Sequence, residues 1–185
     1  MVLIPMERGL ARAPQHFDMD DSRTPFFRLT VEGAPIAKGR PRMTKTGRVY
    51  TPSKTRAYEE RIRQLTAIEM VGRPATESPV IVHVAAVFES PPSWSRTKRL
   101  AVVQGGSFHA VKPDIDNVVK AALDGICFEN GAVRDDKQIV ELCAFKHYGP
   151  HARLMIDVFE IGSSTVDHFS QRWRAWERPG WTSPK

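Results

Sequence analysis

Alternating and periodic hydrophobic residues predict strands and helices between about residues 26 and 161. Phe27, Leu29 and Val31 alternate with polar residues, which predicts a half-buried strand. The segment SPVIVHVAAVFES contains a strong apolar run and predicts another strand. Two long strands are predicted for VRDDKQIVELCAFKHYG and ARLMIDVFEIG, joined by a loop around residues 149–150. The segment RMTKTGRVY predicts a short hairpin.

Helical periodicity predicts two main helices and a short one. The segment KTRAYEERIRQLTAIEM is amphipathic, and its predicted apolar stripe consists of Tyr58, Ile62, Leu65 and either Ile68 or Glu69. A second main helix follows the motif KPDIDN and extends to about Cys127. The predicted buried stripe of this helix consists of Ile115, Val118, Val119, Ala122, Leu123 and Ile126. A short helix between turns is predicted for PPSWSRTKRLAVVQGGS.

The two ends of the chain lack such patterns. Residues 1–24 predict an N-terminal tail, and residues 163–185 predict a C-terminal extension, which leaves one domain at residues 25–162. Hydrophobic residues make up 41% of the chain, enough to build a core. No apolar run approaches the ~20 residues of a membrane helix. Because Cys127 and Cys143 form no CxxC pair, we expect reduced thiols, a cytoplasmic protein and no membrane partner.

Charge is distributed unevenly along the chain, whose formal net charge is +6. Positions 37–63 contain nine Lys and Arg residues and two acidic residues, whereas positions 112–141 contain four basic residues and seven acidic ones. A basic segment favours DNA phosphates, although a solvated hairpin and helix is the alternative. The predicted DNA-binding residues are Lys38, Arg40, Arg42, Lys45, Arg48, Lys54 and Lys112.

The motif KPDIDN places two carboxylates at the start of a helix. Asp114 precedes the first turn, while Asp116, Lys120 and Asp124 fall along one edge of the apolar stripe. A structural interpretation is available, because Asp often caps a helix and Asp116 with Lys120 has the spacing of an intrahelical ion pair. Asp124 is then either a partner of Lys120 or a further residue of the same site.

A second acidic pair, Asp135 and Asp136 in RDDKQ, favours a metal site instead. This pair stands at the predicted start of a strand soon after the helix, so it can approach the first pair. Converging carboxylates repel one another without a cation. Oxygen-only ligands favour Mg²⁺ or Mn²⁺ over Zn²⁺. A metal site in a chain with a basic segment indicates a nuclease, with Asp135 as a fourth ligand or a turn residue.

Two further features permit a functional or a structural interpretation. His109 lies three residues before Lys112, where it would either contribute to the site or form a hydrogen bond within a loop. The C-terminal extension contains three tryptophans interspersed with arginines. Such a mixture would either stack on unpaired bases or fold back onto the domain.

The combination KPDIDNVVKAALDGI with VRDDKQIVEL resembles the RusA family of Holliday-junction resolvases, which are phage and bacterial endodeoxyribonucleases. The upstream KGRPRMTKTGRVYTPSKTRAYE and PPSWSRTKR are similar to the longer phage-type members. The resemblance covers about residues 26–161, and the pairing of D-x-D-N-x-x-K with D-D-x-Q makes it specific. It implies an α+β fold, a single small mixed α/β domain with a mixed sheet packed against two main helices.

The resemblance also implies an activity and a site. A homodimer would resolve four-way DNA junctions in recombination and repair by paired phosphodiester hydrolysis, with Mg²⁺ as cofactor and Mn²⁺ as a substitute. The family's catalytic and metal-binding acids match Asp114, Asp116 and Asp136, and its catalytic lysine matches Lys120.

Three alternatives remain at this point. One is a Mg²⁺-dependent nuclease for other branched or single-stranded DNA, and another is a DNA-binding module without catalysis. The third, a metal-dependent phosphohydrolase for nucleotides, lacks a Gly-rich phosphate loop, since the pair at positions 105–106 does not make one.

Overall fold

The computed structural model describes residues 24–40, 42–43, 46–47, 49–103 and 108–162. Nearly all of the predicted N-terminal tail, and the whole predicted C-terminal extension with its tryptophans, lie outside the described residues. The described strands are β1 (Phe27–Glu32), β2 (Arg42–Met43), β3 (Val49–Tyr50), β4 (Val80–Glu89), β5 (Ile139–Gly149) and β6 (Arg153–Glu160). The described helices are α1 (Ser53–Glu69), α2 (Arg96–Val103) and α3 (Ile115–Ile126).

Four strands form a mixed sheet in the order β1-β6-β4-β5, and β2 pairs with β3 as the predicted hairpin. β6 is antiparallel to β1 and β4, whereas β4 and β5 are parallel. The loop after β5 therefore joins two strands that are not neighbours, because β4 lies between them. Gly149 ends β5 so close to β4 that a Cβ would lie 2.5 Å from Cγ1 of Val87. A larger residue at this position would push the two strands apart.

The core lies between the sheet and the two main helices, α1 and α3. β1 buries Phe27, Leu29 and Val31 and exposes the residues between them, as its sequence pattern predicts. The mixed sheet against two main helices confirms the α+β fold implied by the sequence. Among the described residues, no helix has the length and apolar content of a membrane-spanning segment.

The buried face of α1 differs from the predicted stripe. Thr55, Tyr58, Ile62 and Thr66 are buried, whereas Ile68 is 68% exposed. The prediction that Ile68 or Glu69 continues the stripe was wrong, because the buried face passes through two threonines that a hydrophobicity pattern does not count. Thr55 is satisfied in this position, since its Oγ1 accepts a hydrogen bond of 3.1 Å from the backbone N–H of Gly39.

The buried face of α3 agrees with the predicted stripe in its central part. Val118, Val119, Ala122 and Ile126 are buried, as are Ala121 and Gly125. One position of the predicted stripe was wrong, because Ile115 in the first turn is 37% exposed, whereas Leu123 is partly buried and packs against the core. Small residues let α3 approach α1 closely: a Cβ at position 125 would lie 2.4 Å from Cγ2 of Ile62.

The strand predicted for VRDDKQIVELCAFKHYG begins later than expected. Asp136–Gln138 forms one turn of 3-10 helix, and β5 begins only at Ile139. The cause is local: the Asp135 side chain caps this turn, and the Gln138 side chain accepts a hydrogen bond from the Asp135 N–H. The second acidic pair therefore lies in a turn before the strand, not within it.

Candidate functional site

Asp114 occupies the N-cap position of α3 but does not use its side chain as a cap. Its backbone is extended, with φ −69° and ψ 141°, and its carbonyl accepts a 3.2 Å hydrogen bond from the N–H of Val118. Its side chain makes no capping hydrogen bond, and the residue is exposed. The purely structural interpretation of Asp114 is therefore not realised, because an Asp that serves as a cap accepts from the first-turn N–H groups.

Asp116 and Lys120 form the predicted ion pair along α3. The Lys120 Nζ lies 3.4 Å from Asp116 Oδ2, and the two side chains are 60% and 59% exposed. The neighbouring Asn117 donates a 3.3 Å hydrogen bond from Nδ2 to Asp116 Oδ1. Asp116 is thus held by polar neighbours at an open edge of the helix, where a ligand from solvent can reach it.

The two acids of the second pair have different surroundings. Asp135 accepts from the Lys137 backbone N–H at 3.1 Å, and the Lys137 ammonium lies 3.1 Å from its other oxygen. The backbone hydrogen bond from Lys137 is the main reason that the pKa of Asp135 is lowered. Asp136, in contrast, is exposed in the first position of the turn. Asp135 therefore caps the turn, which is one of its two predicted roles. The turn leaves the Asp136 side chain exposed to solvent.

Cys127, at the C-cap of α3, lies near the turn that contains Asp135 and Asp136. Burial, followed by the charges of Asp136, Asp124 and Asp135, raises the pKa of the Cys127 thiol to about 12. The backbone closes the same connection, because Cys127 pairs with Val133 in an isolated parallel bridge. The second acidic pair thus returns beside the C-terminal end of α3, whereas Asp114 and Asp116 lie at its N-terminal end, so the predicted approach of the two pairs stays a prediction.

The acidic side chains of the described residues do not form a metal-binding cluster. Within the described ranges, no three His, Cys, Asp or Glu side chains come close enough together to hold a metal ion. Asp114, Asp116 and Asp136 are nevertheless all exposed and supply only carboxylate oxygens. Such donors match the preference of Mg²⁺ and Mn²⁺ for oxygen ligands.

Lys38, one of the predicted DNA-binding residues, is paired with acidic side chains of α1 and α3. Its ammonium forms an ion pair with Asp124 Oδ2 and lies 3.9 Å from Oε1 of Glu59. Its backbone N–H also donates a 2.8 Å hydrogen bond to the carbonyl of Asn117. The hydrogen bond with Asp124 raises the pKa of Lys38, while burial is the main cause of the raised pKa of Glu59. Asp124 therefore pairs with Lys38 of the loop before β2 and not with Lys120.

The other predicted DNA-binding cations are only partly described. Arg40, Lys54 and Lys112 are exposed, on the loop before β2, the first turn of α1 and the segment before α3. Arg42 lies in β2, and Lys45 and Arg48 lie outside the described residues. The backbone contact between Lys38 and Asn117 places this loop directly beside the first turn of α3. The predicted phosphate-binding loop and the acidic motif therefore lie side by side.

His109 is packed in an aromatic cluster. It is 6% exposed, its ring stacks on Phe88 with centroids 3.9 Å apart, and it tilts against Tyr148 at 4.7 Å. Burial, followed by the charge of Lys146, lowers the pKa of His109. Its Nδ1 has no hydrogen-bond partner, but backbone groups of His109 and Val111 act on the ring in the direction that raises its pKa, so the loop hydrogen bond stays a prediction. The surroundings favour a packing role.

One cation beside the acidic motif was not predicted. Lys146 of β5 donates from Nζ to the carbonyl of Val111 at 2.5 Å and to that of Pro113 at 2.6 Å, directly before Asp114. Lys146 is separated from these acceptors by 35 and 33 residues, and its own strand pattern gives no sign of the contact. Alternation along β5 predicts only that the Lys146 side chain shares a face with Ala144 and Tyr148, not which groups it contacts.

Comparison with known proteins identifies the family of this chain. A Bacillus subtilis (strain 168) protein named "Uncharacterized protein YqaN" is 29% identical over 144 residues, which is 74% of this chain and 98% of that protein. Residues 32–159 match the family described as "Endodeoxyribonuclease RusA". This match includes both acidic motifs, the loop before β2 and the whole of α1 and α3. The chain is therefore a member of the RusA family of endodeoxyribonucleases.

Proposed function

We propose that this protein is a divalent-metal-dependent endonuclease that resolves four-way DNA junctions. The observation that carries the proposal is the open N-terminus of α3, where Asp114 is free of the capping role and Asp116 lies exposed two residues later. The family membership supports endonucleolytic cleavage of DNA. Junction specificity, metal dependence and the roles of individual residues are the parts that experiment must test.

Three carboxylates are proposed as the metal ligands: Asp114, Asp116 and Asp136. Their oxygen-only chemistry and their exposure fit Mg²⁺, with Mn²⁺ as a substitute. When bound, such an ion supplies an activated water and offsets negative charge on the scissile phosphate. The capped turn supports the choice of Asp136, because Asp135 is already engaged by Lys137.

Lys120 is proposed as the catalytic lysine. Its ammonium lies 3.4 Å from Asp116 Oδ2 and is 60% exposed, so it can also approach a phosphate bound at the acids. A cation in this position orients the Asp116 carboxylate and stabilises negative charge that develops on the phosphoryl oxygens. Both effects come from the same geometry, because Lys120 lies one helical turn after Asp116.

The DNA arms are proposed to lie along the loop before β2, the hairpin and the start of α1. The predicted DNA-binding residues that the sequence places in these segments are Arg40, Arg42, Lys45, Arg48 and Lys54, and Lys112 is proposed as a further contact before α3. A homodimer with two-fold symmetry would present two such surfaces and two acidic sites to a junction, whose own two-fold symmetry then leads to paired cuts.

The double substitution Arg40→Ala and Arg42→Ala is expected to weaken junction binding and to reduce its salt dependence. Each phosphate contact contributes about 0.9 to the slope of log K against log salt concentration on duplex DNA, so the slope should fall by about 2. Binding titrations at several salt concentrations measure this change. Arg99→Ala, on the exposed surface of α2, is the matched control. An unchanged slope would remove these arginines from the DNA surface.

Lys38 is proposed as an anchor of the basic loop and not as a phosphate contact, because Asp124 and Glu59 already offset its charge. Lys38→Met should therefore lower junction affinity only through loop placement and leave the salt slope close to that of the wild type. We expect the free energy of unfolding to fall by up to about 1 kcal/mol, since the Lys38–Asp124 pair is partly exposed. The same titrations, with a melting curve, provide the test. A slope reduced by about 1 would instead indicate a direct phosphate contact.

A cleavage assay tests the proposed function as a whole. Labelled four-way junction, linear duplex and replication fork are incubated with the protein in Mg²⁺, in Mn²⁺ and in EDTA. Paired cuts confined to the junction and dependent on the metal would support the proposal. Cleavage of forks or single strands at equal rates would indicate a nuclease of broader specificity. Junction binding without cleavage in either metal would indicate a DNA-binding module.

A further inference from the structure

The segment that leads into Asp114 lies along the free edge of the sheet. Phe108 forms an antiparallel bridge with His147 of β5, and the N–H of His109 donates to the Lys146 carbonyl at 3.3 Å. The stacking of the His109 ring on Phe88 fixes this end of the segment. The chain then leaves the edge of β5 and turns through residues 110–113 into α3 without regular secondary structure.

The Lys146 side chain holds the other end of this segment. Its ammonium donates to the carbonyls of Val111 and Pro113 at 2.5 and 2.6 Å, and the second of these bonds is partly buried. No carboxylate of the described residues forms an ion pair with Lys146. A buried backbone carbonyl outside helices and strands needs such a partner, and an ammonium gives stronger hydrogen bonds than a neutral donor. The charge is therefore directed at the main chain next to Asp114.

The Pro113 carbonyl is directly connected to the geometry of Asp114. A peptide unit is planar, so an interaction that fixes the Pro113 oxygen also fixes the direction of the N–Cα bond of Asp114. Asp114 has no capping hydrogen bond of its own to hold its side chain. The position of its carboxylate thus depends on the placement of the preceding peptide unit, and that placement depends on Lys146.

We propose that Lys146 is a positioning residue for the acidic site: by holding the carbonyls of Val111 and Pro113, it places the Asp114 carboxylate for metal binding. This inference rests on the proposed function, because it assumes that Asp114 binds a divalent ion. Lys146 contacts neither metal nor substrate in this role. Groups that orient a metal ligand typically change metal affinity by about 10–100-fold when they are removed.

Two substitutions and a control test the inference. Lys146→Met keeps the approximate length of the side chain and removes its charge and donors, whereas Lys146→Arg keeps both charge and donors. Lys98→Met removes a positive charge from α2, where the Lys98 ammonium lies over the Trp94 ring. Mn²⁺ binding to the full-length protein without DNA is measured by electron paramagnetic resonance, alongside melting curves and junction binding in EDTA.

Lys146→Met is expected to weaken Mn²⁺ binding by about 10–100-fold and to raise the Mg²⁺ concentration for half-maximal cleavage by a similar factor. Junction binding in EDTA should change less than about twofold, Lys146→Arg should recover most of the metal affinity, and Lys98→Met should behave as the wild type. Excess Mg²⁺ should restore much of the Lys146→Met cleavage rate, a recovery that a general loss of folding would not permit.

Two results would overturn the inference in different ways. Mn²⁺ affinity unchanged by Lys146→Met, in a wild type that binds Mn²⁺ through Asp114, would refute the positioning role and leave the proposed function intact. A wild type that neither binds Mn²⁺ nor cuts junctions would refute the positioning role and the proposed function together. Asp114→Asn shows where the wild type binds Mn²⁺, because the substitution removes that binding only if Asp114 is a ligand.

Discussion

Asp116→Asn is expected to abolish junction cleavage while junction binding is retained. The substitution preserves the shape of the side chain and removes one negative charge from the proposed metal site at the start of α3. Loss of a metal-activated water and of charge compensation at the phosphate removes several kcal/mol of transition-state stabilisation, which corresponds to a decrease of at least about 10³-fold in rate. Folding should be little affected, because the pair with Lys120 is exposed and such pairs contribute at most about 0.5 kcal/mol.

The measurement is single-turnover cleavage of a labelled four-way junction in Mg²⁺, with binding measured separately in Ca²⁺ or EDTA. Glu60→Gln is a suitable control, because it removes an acidic charge from the exposed face of α1, where Glu60 accepts a hydrogen bond from Gln64. Cleavage within about tenfold of the wild-type rate would exclude Asp116 as an essential ligand. Loss of both binding and cooperative unfolding would point to a structural role instead.

Gly125→Ala is expected to cause a large loss of stability. The added Cβ would lie 2.4 Å from Cγ2 and 2.5 Å from Cβ of Ile62, whose side chain is fully buried on α1. Neither helix has space to accommodate the methyl group, so α1 and α3 must separate. Overpacking of this kind costs about 1–3 kcal/mol or more, and it exceeds the gain of about 1 kcal/mol in helix propensity from Gly to Ala.

Thermal or urea unfolding measures this loss, and Gly162→Ala is the matched control because a Cβ there meets nothing within 4 Å. A second test uses Ile62→Ala, which leaves a cavity by itself and removes Cγ2, the atom nearest to the added methyl group, although Cβ remains and only part of the clash is relieved. The double variant should therefore lose less stability than the sum of the single losses. A Gly125→Ala protein as stable as the wild type would contradict the close helix contact.

The contact at Gly125 also has a functional consequence. α3 carries Asp114 and Asp116 at its beginning, and its packing against α1 fixes where that beginning lies. The same pair of helices contributes Glu59 and Asp124 to the Lys38 anchor. Separation of α1 from α3 should therefore disturb the acidic motif and the basic loop together, so any Gly125→Ala protein that remains folded should also cleave more slowly.

The sequence was sufficient for the local features of the molecule. Alternation located β1, and period-3.6 recurrence located α3, because each pattern depends only on which residues face the core within one element. The later start of β5 could also have been recognised from the sequence, since an Asp followed three residues later by Gln has the spacing of a capping box. The acidic motifs and the family resemblance were equally readable, because they are short patterns of residue types.

Tertiary structure alone decided which charged side chains are engaged by distant partners. Lys38 and Asp124 are 86 residues apart and Lys146 and Pro113 are 33 apart, so their contacts depend on the packing of the helices and on the edge of the sheet. A sequence pattern registers the charge of such a residue but not its partner. The sequence by itself determined the family, the elements and the candidate acids, whereas the fold determined that Lys38 is paired with Asp124 and that Lys146 holds the main chain beside Asp114.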